Sequence, residues 1–545
     1  MMDYASSEYS QEYSRACMEI AEAILSSQLQ NKEDIARIKK KVSKKYSLPS
    51  IPGDADVLSC LQEVSDSDNQ EEINKLRKIL RLKPVRTISG VAVISVMTSP
   101  ASCPHGKCLP CPGGVEKNTP QSYIGLEPAA QRGRQHEYNP YNQVRGRLAE
   151  LVSIGHDVDK AEIIVMGGTF PARERSYKQD FMLGIFNALN TFGNSEEPSQ
   201  NGEKDSGIEQ AKEKNERARV RCTGITFETR PDYAKRPQIE EMLEFGGTKV
   251  ELGVQTVYDS ILEKINRGHG VEDTIEATRL LKDSAFKVGY HVMPGLPYSD
   301  MQKDEEMFRE LFTNPDFKPD YLKIYPTLVV EGTELHQMWE KGEYRPYNTD
   351  EVIDLIASAK RHFPPWVRVQ RIQRDIPIKN ALGLDKGNIR QMVHQKLKEY
   401  GYNCNCIRCR EVGHRGIEEA ELELVVRKYD ASKGEDYFIS YETPHDASLA
   451  GFIRLRFPYE PFIEPLKDAA LVRELHVYGK SLPLGLRDEG AFQHKSIGKR
   501  LLANAEEIAK QKYDRIAVIS GVGVREYYRK LGYEKSQEYM VKNQL

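Results

Sequence analysis

Six short runs rich in β-branched and apolar residues constrain this chain more than any other feature: TISGVAVISVM from Thr87, AEIIVMGG from Ala161, CTGITFET from Cys222, KVELGVQT from Lys249, KVGYHVMPG from Lys287 and YLKIYPTLV from Tyr321. Gly, Pro or polar residues bound each run. Every gap is long enough for a crossover helix, which implies parallel pairing in a barrel or open α/β sheet. Six such units predict an incomplete barrel. Residues 1–80 read as a charged helical extension. After about residue 417 the runs ELELVVRKY, YFISYE, AGFIRLRF and VRELHVYG come at hairpin spacing and predict a second α/β domain. The expected organisation is a helical region over 1–80, a barrel over 81–370, a connection over 371–416 and a closing α/β domain over 417–545. The polar stretch 193–219, nearly free of large apolar groups, is expected to be a mobile surface insertion.

Six of the nine cysteines fall into two triplets, leaving Cys17, Cys60 and Cys222 scattered. The first triplet, Cys103, Cys108 and Cys111 in CPHGKCLPCPGG, follows the first strand and so belongs to the loop at the C-terminal mouth of the barrel, where such folds keep their active sites. The opening MMDYASSEYSQEYSRACMEI lacks the pattern of a secretory signal, and no apolar run approaches the roughly 18 residues of a membrane span. A cytoplasmic protein with no membrane partner is expected, and in that reducing setting disulfides explain the triplets poorly. Three thiolates can hold zinc with His105 as a fourth ligand, or three irons of a four-iron cluster whose fourth iron stays open. Cys404, Cys406 and Cys409 in GYNCNCIRCREVGH read as a structural zinc site completed by His394, His414 or a ligand from elsewhere.

Hydrophobic residues at 39% and charged residues at 29% fit a globular protein, and a net charge of −3 argues against a uniformly basic nucleic-acid coat. Local patches remain. Lys39, Lys40, Lys41, Lys44 and Lys45, in RIKKKVSKK, are the best candidates for phosphate contacts, the competing reading being a solvated helix face. Further on, AFQHKSIGKRLLANAEEIAKQ predicts a helix starting at Ile497 or Gly498, with Leu501, Leu502, Ala505, Ile508 and Ala509 on one apolar face. The unpaired N–H groups of such a start, helped by Lys495 and Lys499, suit a pyrophosphate.

The first triplet followed by VMGGTFP resembles the radical S-adenosylmethionine superfamily, although the first gap of four residues departs from its commonest CxxxCxxC spacing. The helix start resembles the acetyl-CoA loop of the GNAT acetyltransferases: Gln493 and Gly498 match, Ser496 replaces the first glycine, and VRELHVYG, DRIAVIS and VREYYRKLGY stand in the right order around it. With HDVDKAEIIVMGGTF, TFETRPDY, INRGHG, RIQRDIP and ISGVGVREYYRKLGY, the chain is identified as a member of the Elongator catalytic-subunit family of tRNA uridine acetyltransferases.

That resemblance implies a partial (β/α)6 radical S-adenosylmethionine barrel followed by a GNAT-type domain. Cys103, Cys108 and Cys111 would bind a 4Fe-4S cluster, whose open iron takes S-adenosylmethionine, and Gly167 and Gly168 would support the amino end of that cofactor. Acetyl-CoA contacts fall on Glu474, Leu475, His476, Val477, Ile497, Gly498, Lys499 and Tyr528, and on Lys160 of the barrel; Lys160 and Tyr528 are the candidate catalytic residues. The implied reaction takes a hydrogen from the acetyl methyl group by a radical route and joins the methyl carbon to C5 of the wobble uridine, leading to 5-carboxymethyluridine. The implied partner is a tRNA anticodon stem-loop, with accessory subunits or self-association as a further expectation. Lys323, Arg368, Arg371 and Arg374 are additional candidates for its phosphates. Two rivals stand against this: a protein lysine acetyltransferase with Glu474 or His476 as base, and a non-enzymatic RNA-binding scaffold. The complete triplet and Gly167-Gly168 count against the first, and the second would need neither an electron-accepting cluster nor a CoA loop.

Overall fold

The computed structural model describes residues 2–27, 31–64, 69–82, 87, 89–193, 207–415, 417, 421–479 and 496–545. The chain forms two compact units, residues 1–92 with 145–159, and residues 93–144 with 160–545.

The first unit is built on four helices, α1 (Met2–Leu25), α2 (Lys32–Lys45), α3 (Asp54–Glu63) and α4 (Gln70–Leu80). Asn31 caps α2 by accepting from the backbone N–H groups of Glu33 and Asp34, which leaves Ile35, Lys39 and Val42 on the inner stripe. They join Ala16, Ile20, Ile24, Val57, Leu58, Leu61, Leu76 and Leu80 in and around one apolar core. This placement corrects part of the phosphate-contact expectation. Lys39 is buried and its ammonium reaches Asp54 at 2.7 Å; Lys45 pairs with Glu19 at 2.7 Å but stays exposed. Lys40, Lys41 and Lys44 stay on the exposed face. A run of basic residues on a helix cannot all face one way, because at 3.6 residues per turn one of them, here Lys39, falls on the inner stripe with Ile35 and Val42.

The second unit holds two seven-stranded sheets. The first runs in sequence order through β1 (Ala92–Met97), β2 (Lys160–Met166), β3 (Arg221–Thr229), β4 (Lys249–Gln255), β5 (Lys287–Val292), β6 (Tyr321–Ile324) and β7 (Arg368–Arg371), with parallel pairing from β2 onward. The six expected strands are all present. The seventh, RVQR, carries one apolar residue in four and gave the sequence pattern nothing to register. The expected mobile insertion is in part an ordered helix: residues 194–206 lie outside the described residues, but Ile208–Asn215 is helical and buries Lys212 against Glu538 at 2.7 Å and the Glu244 carbonyl at 2.8 Å.

The second sheet has the order β13-β14-β12-β11-β10-β9-β8, from β8 (Glu423–Ala431), β9 (Gly434–Glu442), β10 (Leu449–Phe457), β11 (Ala469–Val477), β12 (Arg515–Ile519), β13 (Glu534–Ser536) and β14 (Tyr539–Asn543). Only β11 and β12 pair in parallel; their neighbours are antiparallel. The helix Ile497–Ala509 covers this sheet with Leu501, Leu502, Ala505 and Ala509 buried among Phe452, Ile453, Val472 and Val518. The hairpin β13–β14 extends the sheet beyond the Gly-Tyr turn at which the sequence reading stopped. Charges join the two sheets: Arg473 of β11 binds Asp320, just before β6, at 2.6 and 2.8 Å, and Asp436 of β9 at 3.0 Å, while Lys282 and Arg456 reach Asp436 at 2.9 Å each.

Candidate functional site

Parallel strands end together, so the residues at their C-terminal ends gather round one mouth. Here they enclose a cavity of about 360 Å³ walled by Cys103, Gln121, Gly167, Gly168, Glu228, Arg230, Gln255, Arg267, His291, Lys323, Tyr325 and Gln370, among others. Cys108 and Cys111 are buried and Cys103 is partly so. Burial pushes the Cys103 and Cys108 thiols up, and Arg267, whose Nη1 lies 3.6 Å from Cys108 Sγ, works the other way. A cationic group against a thiol favours the thiolate that iron requires. Gly167 and Gly168 have φ of 115° and 84°, and a Cβ on Gly167 would meet Thr98 Oγ1 at 2.6 Å. Backbone with no side chain therefore faces the cavity there. Among the described residues, the side-chain oxygens of Gln255 and Gln370 and the Nη1 of Arg230 are buried without a hydrogen-bond partner, and all three residues line the cavity. Buried polar atoms of this kind are costly unless a ligand meets them. A cluster on three thiols with a polar, charged ligand beside it fits this wall.

Below the mouth the barrel is not filled with the bulky branched residues usual in such folds. Glu162, Lys249, Glu251, Lys287, Tyr321 and Lys323 occupy inward positions, while Gly224 and Gly289 leave room beside Glu162 and Glu251. Lys249 lies 3.2 Å from Glu162 and 3.4 Å from Glu251. Lys323 bonds to Glu251 and to Glu228, the latter at 2.7 Å. His291 Nε2 meets Glu251 at 2.9 Å. Burial alone would discharge these groups. For Lys249 and Lys323 the paired carboxylates outweigh it, so both pKa values rise, and Glu251 is held well below the usual carboxylate range.

The opposite, N-terminal rim carries the second sheet. Gly521 and Gly523 approach Thr223 and Arg221 so closely that a Cβ on either would clash, and the Tyr321 hydroxyl donates to Glu474. Here β11 outruns its neighbour: its last pairing with β12 is Val472 with Val518, and β11 runs on to Val477 beyond the end of that ladder. A splay of this kind opens backbone groups to an extended ligand. The helix Ile497–Ala509 starts beside it, with Gly498 against Val477, Ser496 left-handed at φ 57°, and no side-chain cap. Gln493 and Lys495 lie outside the described residues.

The remaining sequence candidates can be placed on this frame. Lys160 opens β2 on the N-terminal rim, paired with Arg221, and six residues of strand, about 20 Å, separate it from Met166 at the mouth. Tyr528 is buried edge-on between Tyr527 and Tyr533, and it is the Tyr527 hydroxyl that abuts Gly498. Leu475 is half-buried against the sheet core, and His476 stacks on Phe452 and Tyr478. Glu474 accepts from Arg454 Nε at 2.8 Å as well as from Tyr321; burial works against its charge, but Arg454 outweighs that and lowers its pKa. Lys323 is buried and committed to Glu228 and Glu251, Arg368 and Arg374 are partly buried and bind Glu411 and the Ser122 carbonyl, and Arg371 pairs with Asp375 on the exposed surface. Arg230, Gln255, Arg267, Glu228 and His291 were not singled out from sequence. Their signal was a polar residue at the C-terminal end of a barrel strand or on the turn after it.

The second triplet closes tightly. The sulfurs of Cys404, Cys406 and Cys409 lie within 4.8 Å of one another, and His394 Nε2 is 3.5 Å from Cys409 Sγ. His414 instead binds Glu411 at 2.6 Å. Lys360, fully buried, stands 3.9 and 3.8 Å from Cys406 and Cys409. No helix among the described residues is long and apolar enough to cross a membrane.

Comparison with known proteins agrees with this architecture. The ELP3 N-terminal domain matches residues 13–88, the Radical SAM superfamily residues 100–311 and the Radical_SAM C-terminal domain residues 319–399. A tRNA uridine(34) acetyltransferase of Methanocaldococcus jannaschii is 50% identical over 88% of this chain and 89% of its own length. Elongator complex protein 3 of Schizosaccharomyces pombe is 41% identical over 97% and 98%. The solved structure of archaeal Methanocaldococcus infernus Elp3 with an N-terminal deletion superposes with a TM-score of 0.73 at 44% identity, covering 84% of this chain and all of that one. The chain belongs to the family of Elongator complex protein 3 and the archaeal tRNA uridine(34) acetyltransferases.

Proposed function

We propose that this protein modifies the wobble uridine of tRNA, using a 4Fe-4S cluster and S-adenosylmethionine at the barrel mouth and acetyl-CoA at the splayed strand, and that the acetyl carbon becomes attached at C5 of the base. One observation carries the reading: the strand that would take acetyl-CoA packs on the very barrel whose other end holds the cysteine triplet, with a polar interior between them. When bound, the cluster and S-adenosylmethionine supply one-electron chemistry able to break a methyl C–H bond. Ordinary acyl transfer offers no route to a carbon-carbon bond at C5.

The chain's own residues then have these parts. Cys103, Cys108 and Cys111 hold iron, Arg267 balances their charge, and the bare backbone of Gly167 and Gly168 admits a ligand closely. The first turn of Ile497–Ala509, with Gly498 and Lys499, takes the CoA pyrophosphate, and the stretch Glu474 to Val477, beyond the end of the β12 ladder, takes its extended arm. Lys160 marks the rim where the acetyl end enters, and Tyr528 with Tyr527 closes the wall by the helix start. Glu474 is unsuited to deprotonate an amine, because Arg454 and Tyr321 already occupy its carboxylate; this disfavours the protein acetyltransferase reading. Cys404, Cys406, Cys409 and His394 are proposed to hold a structural zinc ion, and Lys40, Lys41 and Lys44 to meet tRNA phosphates. Residence in the reducing cytoplasm belongs to the same proposal.

The test is anaerobic incubation of the reconstituted, reduced protein with S-adenosylmethionine, tRNA and trideuterated acetyl-CoA. Mass spectrometry should find deuterium in 5′-deoxyadenosine and a carboxymethylated uridine in the tRNA nucleosides. Modified tRNA accompanied by unlabelled 5′-deoxyadenosine would overturn the reading.

A further inference from the structure

Of the three lysines that face the barrel interior from β4, β5 and β6, two are spoken for. Lys249 lies between Glu162 and Glu251, and Lys323 between Glu228 and Glu251. Lys287, which opens β5 and pairs in register with Lys249, forms no hydrogen bond or ion pair among the described residues. Its backbone is nevertheless held firmly. On one side of it the Phe286 carbonyl accepts from Arg473 Nη1 at 3.1 Å; on the other, the Val288 N–H donates to Asp320 at 2.9 Å, and Asp320 itself binds Arg473. Lys287 is thereby pinned against residue 473, one position before the stretch Glu474 to Val477 that runs past the β12 ladder. Inward of it, Gly289 contributes no side chain.

A half-buried ammonium without a carboxylate partner is expensive to keep. Burial depresses its pKa, and the carboxylates of Glu474 and Glu162 only partly offset that. Glu474, on the facing strand, already accepts from Arg454 on one oxygen and from Tyr321 on the other. Lys287 thus offers an unused donor on the inner face of β5, beside the place where the splayed strand meets the barrel. On the acetyl-CoA reading above, on which this inference rests, the pyrophosphate end lies at the helix start, so the group arriving at the barrel rim is the thioester. Its carbonyl oxygen is an acceptor that an ammonium can meet.

We propose that Lys287 Nζ donates a hydrogen bond to the thioester carbonyl of bound acetyl-CoA, fixing the acetyl group at the barrel floor with its methyl carbon turned into the polar interior. Lys287 is on this view a binding residue for the acyl group, distinct from the groups that hold the nucleotide end.

The experiment is isotope-edited infrared difference spectroscopy of acetyl-CoA labelled with carbon-13 at the carbonyl, bound to the full-length protein without tRNA, alongside calorimetric titration of acetyl-CoA and CoA. In the wild type and in Lys287→Arg the carbonyl band should move to lower wavenumber than in free acetyl-CoA. In Lys287→Met it should return to the free position, with acetyl-CoA affinity falling about tenfold and CoA affinity unchanged, as loss of one charge-assisted hydrogen bond predicts. Thermal melting should show Lys287→Met at least as stable as the wild type, since it removes a buried unpaired charge. A wild-type band at the free position, or identical bands in wild type and Lys287→Met, would overturn the assignment while leaving acetyl-CoA binding intact. Wild-type protein that takes up neither acetyl-CoA nor CoA would overturn both the assignment and the reading beneath it.

Discussion

The basic run on α2 shows how far a single residue type can be interpreted without its neighbours. Lys39 neutralises partly buried Asp54, so Lys39→Met should lower stability by about 1–3 kcal/mol, the cost of leaving that carboxylate with only the weaker Lys32 contact. Thermal or urea unfolding measures it. Replacing exposed Lys40, Lys41 and Lys44 with glutamine should leave the melting temperature alone, weaken tRNA binding and reduce the slope of log affinity against log salt by up to about 2–3 units. If those three carry no phosphate contact, the slope will not change. The sequence showed the charge run but not its inward member, because a lysine reads as exposed until a partner 15 residues away is folded beside it. The same blindness applied to the barrel interior. KVELGVQ, KVGYHV and YLKI were legible as strands, yet Lys249, Glu251, Lys287 and Lys323 alternate along them at the period of one face. Parallel strands are usually apolar on both faces, and that expectation hid the alternation.

At the scale of elements, the six barrel strands and the helix start at Ile497 were legible because each rests on local periodicity. What is not local was out of reach: the seventh strand, the docking of Ile208–Asn215 through Lys212, and the choice of fourth ligand beside the second cysteine triplet. Along the chain His394 and His414 are both within reach of Cys404 to Cys409; in space a salt bridge withdraws His414 to Glu411, and the helix Ile389–Glu399 delivers His394 to Cys409. The zinc proposal accordingly predicts that Cys406→Ser or His394→Ala lowers bound zinc, whereas His414→Ala leaves it near one ion per chain, by elemental analysis of purified protein. Because metal binding free energy becomes folding free energy when the site forms only on folding, the two depleted variants should also melt earlier. Equal zinc content in His394→Ala and wild type would return the fourth position to another ligand.

The whole second unit depends on a buried charge lattice that no single strand or helix contains. Asp283, Asp320, Asp436 and Glu474 face Lys282, Arg454, Arg456 and Arg473, four acids against four bases, with Asp283, Lys282, Asp320 and Tyr321 coming from the barrel and the others from the second sheet. Burial penalises every one of these charges; Asp320 and Asp436 stay ionised because the cations outweigh it, Arg473 foremost. Such a lattice adds little net stability over an apolar contact, but it is severe when incomplete, because each removed partner strands a charge away from water. It therefore makes the two sheets unfold together. Arg473→Met should cost about 3–5 kcal/mol and split the calorimetric transition of the second unit, as the barrel and the second sheet lose the bidentate pair among those that join them. Adding Asp320→Asn should recover part of the loss, since the amide oxygen still accepts from the Val288 N–H while the stranded charge is gone. The same pairs hold Lys287 and Glu474 side by side, so the double variant should bind acetyl-CoA less tightly than its recovered stability alone would suggest. Full recovery of stability and of acetyl-CoA affinity together would show that the lattice serves cohesion only and plays no part in setting the barrel floor against the splayed strand.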